Sequence, residues 1–140
     1  MAAVPVPGEP ALHLPEERAL VVADLHYGVE AELLRGGVWV PNRARQRTER
    51  LLTLVSQVSA ERLLLLGDVK HQVPHSSHQQ KRDLQRMFAA LQAAVQVEVV
   101  PGNHDGGLRE LVPGSVRFHP VKGVVVGDIG LHHGHAWPAP

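Results

Sequence analysis

Cysteine is absent from the 140 residues, which removes disulfides, thiolate metal sites and cysteine nucleophiles together. No excess of charge is present either: Lys plus Arg and Asp plus Glu are each 14, for a net charge of zero with histidines neutral. A protein that coats polyanions in bulk is strongly basic, so general nucleic-acid coating is not the first expectation. Long apolar runs are missing; the longest purely aliphatic one is Leu63 to Leu66, against the ~20 residues a membrane span needs. The start, MAAVPVPGEP, has neither the basic flank nor the apolar stretch of a signal peptide. These absences predict a soluble, cytoplasmic protein that makes no membrane contact. Aromatic side chains are scarce, with two Trp, two Phe and one Tyr, whereas histidines number ten.

What is present is ordinary for a globular chain: 44% hydrophobic and 20% charged residues. A chain of this length buries roughly 70% of its unfolded surface. The expectation is a single domain over residues 1–140.

Four prolines in the first fifteen residues (Pro5, Pro7, Pro10, Pro15) predict an irregular lead-in or edge piece. The apolar run Ala19-Leu20-Val21-Val22-Ala23 reads as a strand buried on both faces. Val29 to Arg35 reads as a short helix stopped by Gly36-Gly37. Pro41-Asn42 opens a longer helix over Arg43 to Val58, with Leu51, Leu54, Val55 and Val58 at helical spacing. Arg62 to Leu66 is a second apolar strand. Polar residues from His71 to Ser77, with Pro74, predict a loop, and Leu84, Met87, Phe88 and Leu91 mark a helix over His78 to Gln92. Gln96 to Val100 is a third strand. A helical turn near Leu108 to Leu111 follows, then short strands at Val116 to His119, Gly123 to Val126 and Ile129 to His133. Alternating strands and helices followed by consecutive strands predict an α/β fold leading into a second sheet.

Each of the first three strands ends in polar residues: Asp24-Leu25-His26, Gly67-Asp68 and Gly102-Asn103-His104-Asp105. In a parallel sheet the carboxyl ends share one edge, where ligand sites gather. A further strand runs into His132-His133-Gly134-His135. Aspartate, asparagine and histidine together form an N and O donor set for divalent cations. Two metals about 3.5–4 Å apart clamp the attacking and leaving oxygens of a phosphate ester. A carboxylate must bridge such a pair, and Asp68 is the natural candidate. An amide oxygen, Asn103, adds a ligand without adding charge, and a histidine off the metals can protonate the leaving oxygen.

The series D-L-H, G-D, G-N-H-D and H-G-H resembles the motifs of calcineurin-like metallophosphoesterases from about Val21 to His135. The L-G-D-V-K-H and H-G-H-A-W-P wording, with R-G-G-V-W-V-P ahead of both, resembles a small prokaryotic subgroup related to DNA-repair nucleases and ligase-associated phosphoesterases. The resemblance implies an αββα sandwich, with Asp24 and His26 on a first metal, Asp68 bridging, and Asn103 and His133 on a second. It further implies that His104 faces the substrate phosphate and that Asp105 orients it. His135 is a less secure ligand. The implied activity is phosphodiester hydrolysis by a metal-activated hydroxide, on nucleic acid or nucleotides, with no covalent intermediate. Manganese is the expected metal; iron, zinc, magnesium and nickel are alternatives, since first-row affinities rank alike across N and O sites.

The family closes its site with a later G-H-x-H block, and no counterpart follows His135 before Pro140. The second sheet reads as incomplete on the same ground. Three readings of this remain open: a fragment, a naturally short chain, and a degenerate homologue acting as a non-catalytic binding module, with a homodimer covering the open sheet. Residues outside the motif series receive plainer readings. His71 is a solvated loop residue, and His13, His75, His78 and His119 are surface or structural residues. Arg43, Arg47 and Arg50 form a solvated basic stripe, with a phosphate-backbone contact as the alternative. Trp39 and Trp137 are expected to cover the core rather than to stack on bases.

Overall fold

A computed structural model describes residues 3–23, 25, 37, 41, 43–67, 69, 78–101, 109, 113–120 and 122–131, the side chains of 78–80 excepted. Among these residues the main sheet has six strands in sequential order: β1 (Val4–Pro5), β2 (Ala11–Leu14), β3 (Ala19–Ala23), β4 (Arg62–Leu66), β5 (Gln96–Val100) and β6 (Arg117–Phe118). From β3 to β6 the pairing is parallel. Strands β1 and β2 add antiparallel pairings on the outside of β3.

Among the described residues the crossovers contain two α-helices, α1 (Ala44–Gln57) and α2 (His78–Gln92). Successive crossovers run the same way along the sheet, and parallel connections share one handedness, so both helices cover one face. Alternation along the strands matches this. Leu20, Val22, Leu63, Leu65, Val97 and Val99 pack with the helices' Leu51, Leu54, Leu84, Met87, Phe88 and Leu91. The leucine stripes expected from helical spacing therefore make the larger core. Phe88, Leu84, Met87 and Leu91 are wholly buried, and each such side chain contributes roughly 1.5–3 kcal/mol of transfer free energy.

The opposite face carries the smaller core. Leu14, Ala19, Val21 and Leu64 pack there against Val126 and Leu131 of a hairpin, β7 (Val124–Val126) and β8 (Ile129–Leu131). Its strands pair antiparallel, with Val126 opposite Ile129. The arrangement is a mixed α/β fold of helices, main sheet and a small second sheet.

Of the two courses expected for the proline-rich start, an irregular lead-in or an edge piece, the structure takes the second, and one expectation about the later strands needs correction. Part of the proline-rich start is regular: Ala11–Leu14 forms a four-residue ladder on β3 because its buried ends, Ala11 and Leu14, fill gaps in the two cores. Its prolines do not block this, since Pro5 lies in the sheet's outermost strand, where a missing N–H costs no ladder bond. The segment around Arg117 joins the main sheet in parallel with β5, not the second sheet. There Val116 fills the larger core, and the N–H of His119 donates to the carbonyl of Val99 at 2.8 Å. The expected helices near 29–35 and 108–111 and the expected loop over 71–77 lie outside the described residues, apart from Arg109.

Candidate metal edge

Register decides which residues approach the C-terminal edge together. Ala23 is aligned with Leu66, and Leu66 with Val100. The three chains leave the sheet side by side. The N–H of Gly67 donates to the carbonyl of Val100 at 2.7 Å, extending the ladder one residue past β4. Gly67 has φ +74°, a left-handed conformation that other residues adopt at a cost. Asp24 follows Ala23 by one position, Asp68 follows Leu66 by two, and Asn103 follows Val100 by three. Segments separated by dozens of residues in sequence thus leave one edge.

The residues flanking the first two motifs are anchored. Val69, immediately after Asp68, is wholly buried in the larger core, and Leu25, immediately after Asp24, packs against the same core. The fourth block begins at the residue after Leu131, which is itself buried against the sheet's second face. Asp24, His26, Asp68, Asn103, His104, Asp105, His133 and His135 lie outside the described residues, as do His71, Trp39 and Trp137. No group of three or more His, Asp or Glu suited to a cation occurs among the described residues. The candidate donors follow the strand ends, and their chemistry, carboxylate, imidazole and amide oxygen, suits divalent cations.

A second polar cluster sits away from this edge. Glu98, in the middle of β5, is wholly buried. It accepts two bonds from Arg62, 2.7 Å from Nε and 3.0 Å from Nη2, and lies 2.8 Å from Nε2 of His119. Arg62 also reaches Glu17 at 3.7 Å. Burial pushes the Glu98 carboxyl up, but the hydrogen bonds from Arg62 and His119 and their charges outweigh it and hold the group below the usual carboxylate range. The same bond to Glu98 raises Arg62. The cluster cross-links β4, β5 and the end of β6. His119, read from sequence as a surface or structural residue, is structural and buried. The signal that could have found it was a glutamate at the centre of an otherwise apolar strand.

Of the expected basic stripe, Arg50 pairs with Glu9 and is exposed. Arg47 and Arg50 line a cavity of about 120 Å³ that also includes Ala23 and Leu25, the two neighbours of Asp24. The start of α1 therefore approaches the candidate metal edge.

Comparison with known proteins agrees with this architecture. The family model for calcineurin-like phosphoesterases matches residues 17–138. Among solved structures, the chain is similar to the Pseudomonas putida nuclease MPE, with a TM-score of 0.63 at 22% identity over 94% of this chain. The chain spans 64% of the length of that nuclease. No curated protein matches.

Proposed function

Because the chain belongs to the calcineurin-like phosphoesterase family, we propose that it is a metal-dependent hydrolase of phosphodiesters in nucleic acid or nucleotides. The observation that carries this reading is the shared edge: three strands in register, each followed within three residues by a metal-type donor. The crystallised Pseudomonas putida nuclease supports the substrate class by its fold alone.

In this reading Asp24 and His26 would hold one divalent cation and Asn103 and His133 a second, Asp68 would serve both, and His135 is a further candidate ligand. When bound, such ions neutralise phosphate charge and bring the pKa of water toward neutrality; manganese is the proposed species. His104 donates a proton to the oxygen of the departing alcohol, which then leaves neutral. Asp105 accepts a hydrogen bond from the His104 ring and holds it in position. Attack by water leaves a phosphomonoester and an alcohol.

The test is Mn²⁺-dependent hydrolysis of bis(p-nitrophenyl) phosphate, run beside a calorimetric Mn²⁺ titration, on the 140-residue chain and on Asp68→Ala. The expected result is hydrolysis and metal binding in the parent, both lost in the variant, with the far-UV circular dichroism of the two chains superimposable. Equal hydrolysis in the two chains would sink the bridging assignment. A parent chain inert toward the ester under saturating Mn²⁺ would sink the hydrolase reading.

A further inference from the structure

The chain is neutral overall, yet its helical layer is not. Arg43, Arg45, Arg47 and Arg50 lie in or just before the first half of α1. Lys81, Arg82 and Arg86 lie in the first two-thirds of α2. The residues that finish each helix, 51–57 and 87–92, contain no charged side chain. Against these seven cations the two helices carry two carboxylates, Glu49 and Asp83, and Glu9 from the N-terminal segment pairs with Arg50. Glu49 accepts from Arg45 at 3.0 Å, and Asp83 is buried.

This distribution opposes helix electrostatics. The N-terminus of a helix is its positive end, where acidic side chains stabilise and basic ones cost typically 0.3–1 kcal/mol. Neither helix has an acidic residue in its first turn or a basic residue in its last. The inversion is direct in α1, where Arg45 and Arg47 lie in the opening turn, whereas in α2 only Lys81 reaches the first turn and Arg82 and Arg86 follow it. At the head of α1 local stability disfavours these arginines, and a feature disfavoured locally points to a role outside folding.

Topology decides where the cations lie. Residues 58–61 connect α1 to β4, and residues 93–95 connect α2 to β5. Both helix C-termini are thereby held at the N-terminal edge of the sheet, where the N–H of Gln96 donates to the carbonyl of Glu61. A helix of this length extends roughly 21 Å and a five-residue strand roughly 16 Å. The cationic halves consequently return to the C-terminal edge. The cavity that Arg47 and Arg50 share with Ala23 and Leu25 places α1 there directly.

We infer that the N-terminal half of α1 and the first two-thirds of α2 form a cationic band that holds the flanking phosphates of a nucleic-acid strand whose scissile bond lies at the metal edge. The inference rests on the hydrolase reading for the scissile step and deepens it, because a nucleotide-sized diester has no flanking phosphates for a band to hold. Lys81, Arg82, Arg86 and Arg45 are all exposed, and among the described residues the one aromatic side chain on these two helices, Phe88, is buried in the core. Such a surface contacts phosphate and not bases, so it binds without sequence preference.

The test measures binding of a fluorescein-labelled single-stranded oligonucleotide across a salt series, in EDTA so that the strand is not cut. Parent, Lys81→Gln/Arg82→Gln/Arg86→Gln and Arg18→Gln are compared. Arg18 lies at the opposite edge, paired with Glu61, and controls for the loss of charge in general. Each phosphate contact contributes about −0.7 to the slope of log K against log salt for a single strand. The triple variant should therefore lower the slope by about two and shrink the affinity lost between about 50 and 200 mM salt by roughly twentyfold. Arg18→Gln should leave the slope as in the parent. An unchanged slope in the triple variant, or an equal fall in Arg18→Gln, overturns the band. Failure of the parent to cleave bis(p-nitrophenyl) phosphate overturns the hydrolase reading instead and leaves the slope comparison decisive for the band.

Discussion

Arg62 on β4 grips Glu98 on the adjacent strand β5 with two N–H···O bonds, and it does so from a position about a quarter exposed while Glu98 is wholly buried. The two residues are therefore unequal partners. Removing the guanidinium strands a carboxylate in the sheet with His119 as its remaining close partner. Removing the carboxylate leaves an arginine that still reaches water and Glu17. Stranding a buried charge costs about 3–5 kcal/mol. Arg62→Met should lie near the low end of that range in urea unfolding, and Glu98→Gln at about 1 kcal/mol. Equal losses would show that the pair acts as a simple cross-link.

Acid should expose the same pair. The Glu98 carboxyl is held below its ordinary value, with burial opposing and the Arg62 and His119 hydrogen bonds prevailing. A carboxyl lowered on folding binds its proton less readily in the native state, so unfolding takes up a proton and acid favours it. The stabilisation is complete above the unfolded value of about 4.3 and is lost as pH falls through the lower native one. Arg62, raised by the same contact, stays charged throughout and adds no slope. The stability difference between the parent chain and Glu98→Gln should hold constant above about pH 5 and shrink below about pH 4. A difference that widens in acid would contradict this sign.

Gly67 offers a backbone test of the metal edge. With φ +74° immediately before Asp68, Gly67→Ala should cost about 1 kcal/mol in unfolding. Its effect on Mn²⁺ affinity should exceed that of Ala23→Gly, which sits equally near the edge in extended backbone. Comparable metal affinity in the two variants would separate the turn at Gly67 from the metal edge.

His104 and Asp68 should fail in different ways. A proton donor that is not a ligand leaves metal binding in place when removed. His104→Ala should bind Mn²⁺ as the parent does while hydrolysing bis(p-nitrophenyl) phosphate about 10²–10⁴-fold more slowly. Loss of Mn²⁺ binding in that variant would make His104 a ligand.

Much of the fold was legible along the chain because its signals are local. The apolar runs at 19–23, 62–66 and 96–100 and the leucine spacing in α1 and α2 mark elements whose bounds the structure reproduces within a residue or so. The prolines of the start left an irregular lead-in and an edge piece open, and the sheet decides for the edge: Pro5 pairs with Leu12 in the outermost ladder while Ala11–Leu14 pairs with β3. The Glu98 cluster has no such local signal. The partners of Glu98 lie 36 residues before and 21 residues after it in sequence, and no local pattern couples them.

By itself the sequence determined the motif series, the donor types and the order of strands and helices, since these follow from residue chemistry and from periodicity within a few residues. Only the tertiary structure decided that β3, β4 and β5 leave the sheet in register at one edge. It alone decided, too, that the charged halves of two separate helices return to that edge. The physical reason is that each outcome depends on which apolar faces pack together and on short connections that fix helix direction. Those contacts join segments distant in sequence, and a neutral total charge conceals them until the chain is folded.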